Sequence, residues 1–364
     1  MNLSPKILII GSTGELGSKL IKFCNSNKIK IHAITGYKNK KKLKIQKEKL
    51  HIKNSFLLSN HQEKLNFIEF LNKTKIDIVY FLDFGYESII YADIFLQNNK
   101  NSYLAIANKE MILAGGNLLK KKILKSKNNL IPLDSEHFSL FNFNLKNEYI
   151  KKIFITASGG PFYFKKKINL NKVNLKQVLL HPKWKMGINN SIDSSNFINK
   201  ILEMYELSII FDIDLKKISF LVSPEAYVHS IIINNDNTVN INCFDNDMLI
   251  PLIKPLQFYF QYLSIPNKNK YLNNKNMNIQ IFNDKRFKII KYLNLFKELN
   301  HSEQICFMLL NNFAQKKYLN SEIDYNNIVD FIITHLKKLN FNSKFNSFDD
   351  TIDFINFIKN KYDN

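Results

Sequence analysis

The sequence predicts an α/β protein in three parts: a doubly wound parallel sheet at the N-terminus, a central α+β region and a C-terminal helical bundle. Over residues 1–150, short apolar runs rich in β-formers alternate with helix-like stretches. That rhythm is the mark of βαβ units. The expected strands there are Lys6–Ile10, Lys30–Ile34, Ile76–Leu82, Ser102–Ala107 and Asn129–Leu133. From 151 to 275 the pattern changes: a strand at Lys152–Ala157, a helix opening at Asp193 or Ser194, then strands at Ile218–Val222, Val228–Ile233 and Val239–Cys243. The Lys- and Asn-rich stretch Asn267–Asn278 reads as a linker. From 285 to 364, Phe287–Leu299, Ser302–Leu319, Tyr325–Leu339 and Phe348–Tyr362 space their apolar residues near the helical period. No internal repeat is visible.

Composition narrows the class. A chain of 364 residues with 45% apolar content is long enough for two or three cores and too apolar to be disordered. Cys24, Cys243 and Cys306 are odd in number and far apart, without a CxxC pair, which points to a reducing, cytoplasmic compartment. No run of about 18 uncharged apolar residues argues for a membrane span. The strand at Lys6 leaves no room for a signal peptide. The formal charge of +21 suggests nucleic acid or an anionic membrane as a partner, yet Arg286 is the single arginine beside many lysines. Nucleic-acid sites favour the arginine fork, so the lysines read as solvated surface that also attracts anionic phosphates.

Gly11-Ser-Thr-Gly14-Glu-Leu-Gly17 follows an apolar strand and opens a helix. This is the context of a Rossmann-like dinucleotide turn, where glycines admit the pyrophosphate and the helix N-terminus supplies N–H donors. A tight turn without a ligand is the alternative. Glu15 places a carboxylate at the helix start, tolerable if it faces solvent. Lys38 and Asn39, after the second strand, suit a ribose phosphate and thereby NADPH.

Asp134-Ser-Glu136-His137 follows the strand ending at Leu133. Strand ends of an open parallel sheet are where ligands bind, and paired carboxylates suit Mg²⁺ or Mn²⁺. A helix N-cap explains the same residues equally well. Further on, HPKWKMGINNSIDSSNFINKILEMYE runs from His181 to Glu206. Asn199 and Glu203, four apart on a helix, share one face. Ser194, Asn199 and Lys200 can bind a phosphate or sugar hydroxyls, and Glu203 can join Asp134 and Glu136 around one cation. His181, Trp184 and Met186 lie in a loop-like run that either closes over a ligand or packs in the core. Ser158-Gly-Gly160-Pro161 is a candidate anion nest or a plain turn.

In order and spacing these pieces resemble the 1-deoxy-D-xylulose 5-phosphate reductoisomerase family. The matching segments are GSTGELG at 11–17, ANKE at 107–110, LDSEH at 133–137, SGGPF at 158–162, HPKWKMG at 181–187 and SIDSSNFINKILE at 191–203. The likeness is clear over residues 5–245 and weaker beyond. It implies that Thr13, Gly14, Glu15, Leu16, Lys38, Asn39, Asn108, Glu110 and Gly187 contact NADPH, and that Asp134, Glu136 and Glu203 bind a divalent metal (Mg²⁺, Mn²⁺ or Co²⁺). Lys109, Ser135, Glu136, Ser158, His181, Trp184, Ser194, Asn199, Lys200 and Glu203 then hold substrate, with Lys109, Glu136, His181 and Glu203 catalytic and Trp184 and Met186 on the closing loop. The implied reaction is metal-dependent rearrangement of 1-deoxy-D-xylulose 5-phosphate, then reduction by NADPH to 2-C-methyl-D-erythritol 4-phosphate, in a homodimer with neither nucleic acid nor membrane as partner. Residues 1–150 become the cofactor domain, 151–275 the catalytic domain and 285–364 a helical domain. The chain departs from the family at Glu15, Glu225 and Leu249, and its glycine-rich segment before ANKE shrinks to Gly85. Another sugar or amino-acid dehydrogenase accounts for the glycine turn alone. A nucleic-acid binder accounts for the charge alone, and a decayed enzyme for the departures.

Overall fold

A computed structural model describes residues 4–180, 187–265, 277–339 and 341–362. The chain divides into two compact units, drawn from residues 1–141 with 247–273 and from 142–246 with 274–364.

The first unit is built on six parallel strands: β1 Ile7–Ile10, β2 Ala33–Gly36, β3 Asn54–Leu57, β4 Ile78–Phe81, β5 Tyr103–Ile106 and β6 Asn129–Pro132. Their order is β3-β2-β1-β4-β5-β6. The order reverses between β1 and β4, where Ile7 pairs with Ile78 and Ile10 with Phe81. β1 and β4 are buried along their whole length, as strands covered on both faces must be. Five of these strands fall within the expected runs or close to them, though β2 starts at Ala33 rather than Lys30. β3 was not expected: Asn54 and Ser55 lack β-propensity, and this half-buried edge strand pairs only with β2. After residue 246 the chain returns to this unit. The helix Leu249–Gln257 sinks Leu252 and Leu256 into the core around Ile7, Ile9 and Leu20, and the Tyr80 hydroxyl donates to the Leu252 carbonyl at 2.9 Å.

The second unit holds β7 Ile150–Ala157, β8 Ile218–Val222, β9 Val228–Asn234, β10 Val239–Cys243 and β11 Gln280–Ile281, in the order β10-β9-β7-β8-β11. β7 runs parallel to β8 and antiparallel to β9, so this sheet is mixed. The expected helix opening at Asp193 or Ser194 is corrected here. One helix covers Ile188–Asn196 and a second Ile198–Phe211, with Phe197 between them at φ +68°. A left-handed phenylalanine is costly. Its ring, 1% exposed, offsets that cost by lying 4.3 Å from Phe282, 4.9 Å from Phe287 and 5.9 Å from Phe220, centroid to centroid. Asp193 caps nothing; it is an interior residue of its helix, and buried.

The helical region contains His301–Leu319, Asn327–Leu336 and Phe348–Tyr362. The first is capped by Asn300 and Glu303 reciprocally. The expected single helix Phe287–Leu299 is instead a short 3₁₀ segment, Lys288–Tyr292, running into a helix at Leu293–Glu298. Among the described residues no helix is long and apolar enough to cross a membrane. The buried thiols of Cys24 and Cys306 are pushed up to about 12 by desolvation and stay protonated.

Candidate functional site

The glycine turn stands where β1 meets the helix Glu15–Ser26, beside the strand-order reversal. That crevice is where doubly wound sheets take dinucleotides. Gly11 has φ +84°, and a Cβ there would sit 2.6 Å from the Asp83 backbone nitrogen, so β1 and the end of β4 can close up only around glycine. The helix starts on Gly14 with no side-chain cap, leaving its first turn of amides to an anion. Glu15 is exposed, which answers the electrostatic objection to it. Thr13 and Leu16 are half-buried on the turn.

Residues the sequence reading passed over brace this turn. Ser12 donates to Gln46 Oε1 at 2.7 Å and to the Thr35 carbonyl at 3.0 Å, while Gln46 Nε2 returns to the Ser12 carbonyl at 2.9 Å. Gly11 N–H donates to Thr35 Oγ1 at 3.1 Å, and Lys42 Nζ to the Thr13 carbonyl at 2.8 Å. A buried glutamine inside the lysine-rich helix Lys40–Lys49 was the signal available. Lys38 is exposed after β2, and Asn39 caps that helix by accepting from Lys42 N–H at 3.0 Å.

Asn108 caps the helix Lys109–Lys125, accepting from Met111 N–H at 3.0 Å, and its amide donates to the Gly85 carbonyl at 2.9 Å and to Asp83 Oδ1 at 3.3 Å. Glu110 is buried, its carboxylate 3.9 Å from where a Cβ on Gly85 would be. Asp83, absent from the expected set, also accepts from Ser88 Oγ, and burial pushes its carboxyl up to about 6.

At the end of β6, Asp134 bears out its N-cap reading. It caps the short helix Ser135–Phe138 by accepting from Glu136 N–H at 3.2 Å, and its second oxygen pairs with Lys109 Nζ from the end of β5. Ser135 donates to Glu136 Oε2. His137 lies fully buried beside Asp134, Nδ1 to Oδ1 3.8 Å.

In the second unit, Ser158 follows β7, and Gly159 and Gly160 adopt φ +90° and +58°. A Cβ on Gly160 would lie 2.8 Å from the Ser194 carbonyl oxygen. The turn at 158–160 therefore packs onto the helix carrying Ser194, bringing two expected phosphate residues to one place. One break further on, Asn199 Nδ2 donates to Glu203 Oε1, and Lys200 Nζ lies 2.6 Å from Glu203 Oε2. Lys200 and Glu203 are nearly fully buried. Buried ion pairs rarely stabilise a fold more than an apolar pair of the same size. Asp193 beneath them accepts from Asn311 and Gln315, spaced i, i+4 on the helix His301–Leu319. Gly187 caps the helix Ile188–Asn196 through its carbonyl. His181, Trp184 and Met186 lie outside the described residues.

Fold and site together define a class: a dinucleotide-binding α/β oxidoreductase that carries a second unit with its own charged site. Comparison with known proteins specifies it further. Residues 130–211 match the 1-deoxy-D-xylulose 5-phosphate reductoisomerase C-terminal domain, and residues 7–107 match the NAD dependent epimerase/dehydratase family. A 1-deoxy-D-xylulose 5-phosphate reductoisomerase of Pelagibacter ubique is 33% identical over 94% of this chain and 93% of its own length. One from Clostridium novyi is 29% identical over 98% and 99%. The structure of the Zymomonas mobilis reductoisomerase, solved in complex with NADPH, superposes with a TM-score of 0.84 at 20% identity, covering 99% of this chain and 98% of that one. The chain belongs to the 1-deoxy-D-xylulose 5-phosphate reductoisomerase family.

Proposed function

We propose that this chain rearranges and reduces 1-deoxy-D-xylulose 5-phosphate to 2-C-methyl-D-erythritol 4-phosphate, the step its family name denotes in isoprenoid synthesis. The observation that carries the reading is a relationship at 33% identity spanning 94% of the chain. A solved family structure holds NADPH, fosmidomycin and magnesium, and the residues of this chain fit both cofactors. An uncapped helix start behind glycines suits a pyrophosphate. The all-oxygen donor set of Asp134, Glu136 and Glu203, whose Asp134 and Glu203 already balance an ammonium group, suits a hard divalent cation.

Asp134, Glu136 and Glu203 are the proposed ligands of one ion, Mg²⁺, Mn²⁺ or Co²⁺, which when bound supplies Lewis acidity to the substrate's oxygens. NADPH, held by Thr13, Gly14, Glu15, Leu16, Lys38, Asn39, Asn108, Glu110 and Gly187, supplies hydride. Ser158, Ser194, Asn199 and Lys200 grip the phosphate, and that remote binding orders the reacting end. Ser135 and Lys109 hold the hydroxyl end, with the Lys109 ammonium placed to steady developing negative charge. His181 and Trp184 complete the substrate shell, and Met186 closes over it and excludes water. In this reading residues 1–150 serve the cofactor and lend Lys109, Asp134 and Glu136 to the chemistry, 151–246 carry Glu203 and the phosphate residues, and 285–364 support. The family likeness supports a homodimer, and the reduced, buried thiols suit the cytoplasm.

The test is NADPH oxidation with 1-deoxy-D-xylulose 5-phosphate, with and without EDTA. Oxidation should require substrate and metal together. Glu203→Gln should abolish turnover and leave NADPH affinity almost unchanged; normal turnover by that variant would remove Glu203 from the site.

A further inference from the structure

Arg286 is the one arginine among 52 basic residues. In a chain that uses lysine at every other cationic position, its surroundings show what lysine could not do. Its Nε donates to both oxygens of Asp284, at 3.1 and 3.2 Å, and Nη2 to Asp284 Oδ2 at 2.8 Å. The other face of the guanidinium reaches backbone: Nη1 donates to the Lys165 carbonyl at 2.8 Å, and Nη2 to the Tyr163 carbonyl at 3.0 Å and the Phe162 carbonyl at 3.4 Å. One planar fork thus serves one carboxylate and three carbonyls. An ammonium is a point charge with three donors and cannot span that arc. Asp284 is held well below the usual carboxylate range, chiefly by the guanidinium and further by Lys166 Nζ at 2.9 Å, so the clasp stays charged across any working pH.

What the clasp grips is the continuation of the Ser158 turn. Tyr163 N–H donates back to the Gly159 carbonyl at 3.3 Å, and Lys165 N–H to the Phe162 carbonyl at 3.0 Å, so residues 158–165 form one continuous set of turns. At its near end Gly160 lies against the Ser194 backbone. At its far end the Phe162 ring meets Tyr325 edge-on at 5.5 Å, and the Tyr325 hydroxyl donates to Ser195 Oγ at 3.0 Å. Gly160 and Phe162 tie the turn to the helix that bears Ser194, and Arg286 holds the carbonyls at Phe162 and just beyond it, at Tyr163 and Lys165.

We infer that Arg286 is a positioning residue for phosphate recognition: by clasping the carbonyls of Phe162, Tyr163 and Lys165 it holds the Ser158 turn against Ser194 at the spacing a phosphate needs. The inference rests on the assignment of Ser158 and Ser194 to the substrate's phosphate. Arg286 touches no substrate. Its loss loosens the turn and weakens the phosphate grip, while the dinucleotide turn, built from other residues, is untouched. Anion sites of this kind depend on backbone N–H groups and hydroxyls staying aligned.

The experiment compares the full chain with Arg286→Ala and Arg286→Lys. Arg286→Ala should raise the KM for 1-deoxy-D-xylulose 5-phosphate about tenfold, the scale of one charge-assisted hydrogen bond. NADPH affinity, read by fluorescence, should stay within twofold. Inorganic phosphate should inhibit the parent competitively and the variant with an inhibition constant raised by the same factor as KM. Arg286→Lys should behave like Arg286→Ala, and millimolar guanidinium should lower the KM of Arg286→Ala alone. An unchanged phosphate inhibition constant in a folded variant overturns the inference, as does a parallel loss of NADPH affinity. If Arg286→Ala fails to fold, Asp284→Asn loosens the clasp from its other side and should raise both constants in the same ratio; no change in that folded variant equally overturns it. A parent that binds NADPH but neither substrate nor phosphate would instead refute the functional assignment.

Discussion

Asp83 sets up a stability change whose sign depends on pH. The residue follows β4 at the strand-order reversal, its backbone pressed on Gly11 and its carboxyl accepting from Ser88 Oγ and from Asn108 Nδ2 at 3.3 Å. Desolvation dominates its surroundings and pushes the carboxyl up to about 6. An unfolded aspartate titrates near 3.9. A folded value above the unfolded one means that the protonated form is favoured by folding. The associated stability is full below about pH 4, declines as pH rises through about 6 and stays lost above. A shift of about two units at about 1.4 kcal/mol each puts the loss near 3 kcal/mol. Asp83→Asn is neutral at every pH and can still accept from Ser88, but it turns an N–H toward the Asn108 amide and forfeits about 1 kcal/mol of hydrogen bonding. The variant should therefore be about 2 kcal/mol more stable than the parent at pH 8 and about 1 kcal/mol less stable at pH 4, crossing between. Urea unfolding followed by far-UV circular dichroism across that range, taking the transition of the first unit if two appear, measures the difference. A difference that does not change with pH would refute the reasoning, because it would mean that Asp83 titrates as a solvated carboxyl.

Gln46→Leu takes one partner each from the buried Ser12 hydroxyl and carbonyl and leaves the hydroxyl its bond to the Thr35 carbonyl; it should cost about 1–2 kcal/mol in urea melts and weaken NADPH binding in a fluorescence titration. Lys200→Met leaves Glu203 buried without its ammonium partner; the variant should melt well below the parent in EDTA and gain more than the parent from millimolar Mg²⁺ in differential scanning calorimetry. Phe197→Ala removes a ring packed against Phe220, Phe282 and Phe287 from a left-handed position alanine tolerates poorly; about 3–5 kcal/mol of stability should disappear by the same melts.

Local pattern made much of this legible. Phe348–Tyr362 has the bounds its periodicity implies, because one buried face imposes its repeat on the sequence. The glycine turn, Asn199 with Glu203, and the capping ability of Asp134 are each decided within a few residues. Features decided at long range were not legible. Gln46 reaches Ser12 across 34 residues, and Asn311 reaches Asp193 across 118. Nothing near Leu249 announces that its helix packs under β1 and β4. The break at Phe197 is hidden for a different reason: locally the stretch reads as one helix, and only the aromatic partners from β8 and from beyond β11 make a left-handed residue there affordable.

A chain with one arginine among 52 basic residues shows which positive charges its fold treats as interchangeable. The lysines of the helix Lys40–Lys49 are mostly exposed and need only solvent, so any cation serves. Lys109 and Lys200 are different, being withdrawn from solvent and placed on Asp134 and Glu203. There a compact ammonium is the better group, since it neutralises the carboxylate without filling all of its lone pairs. Arg286 is the third case, where geometry rather than charge is required, since three carbonyls and a carboxylate must be met by one plane. The chain's single arginine stands where a point charge cannot replace a fork.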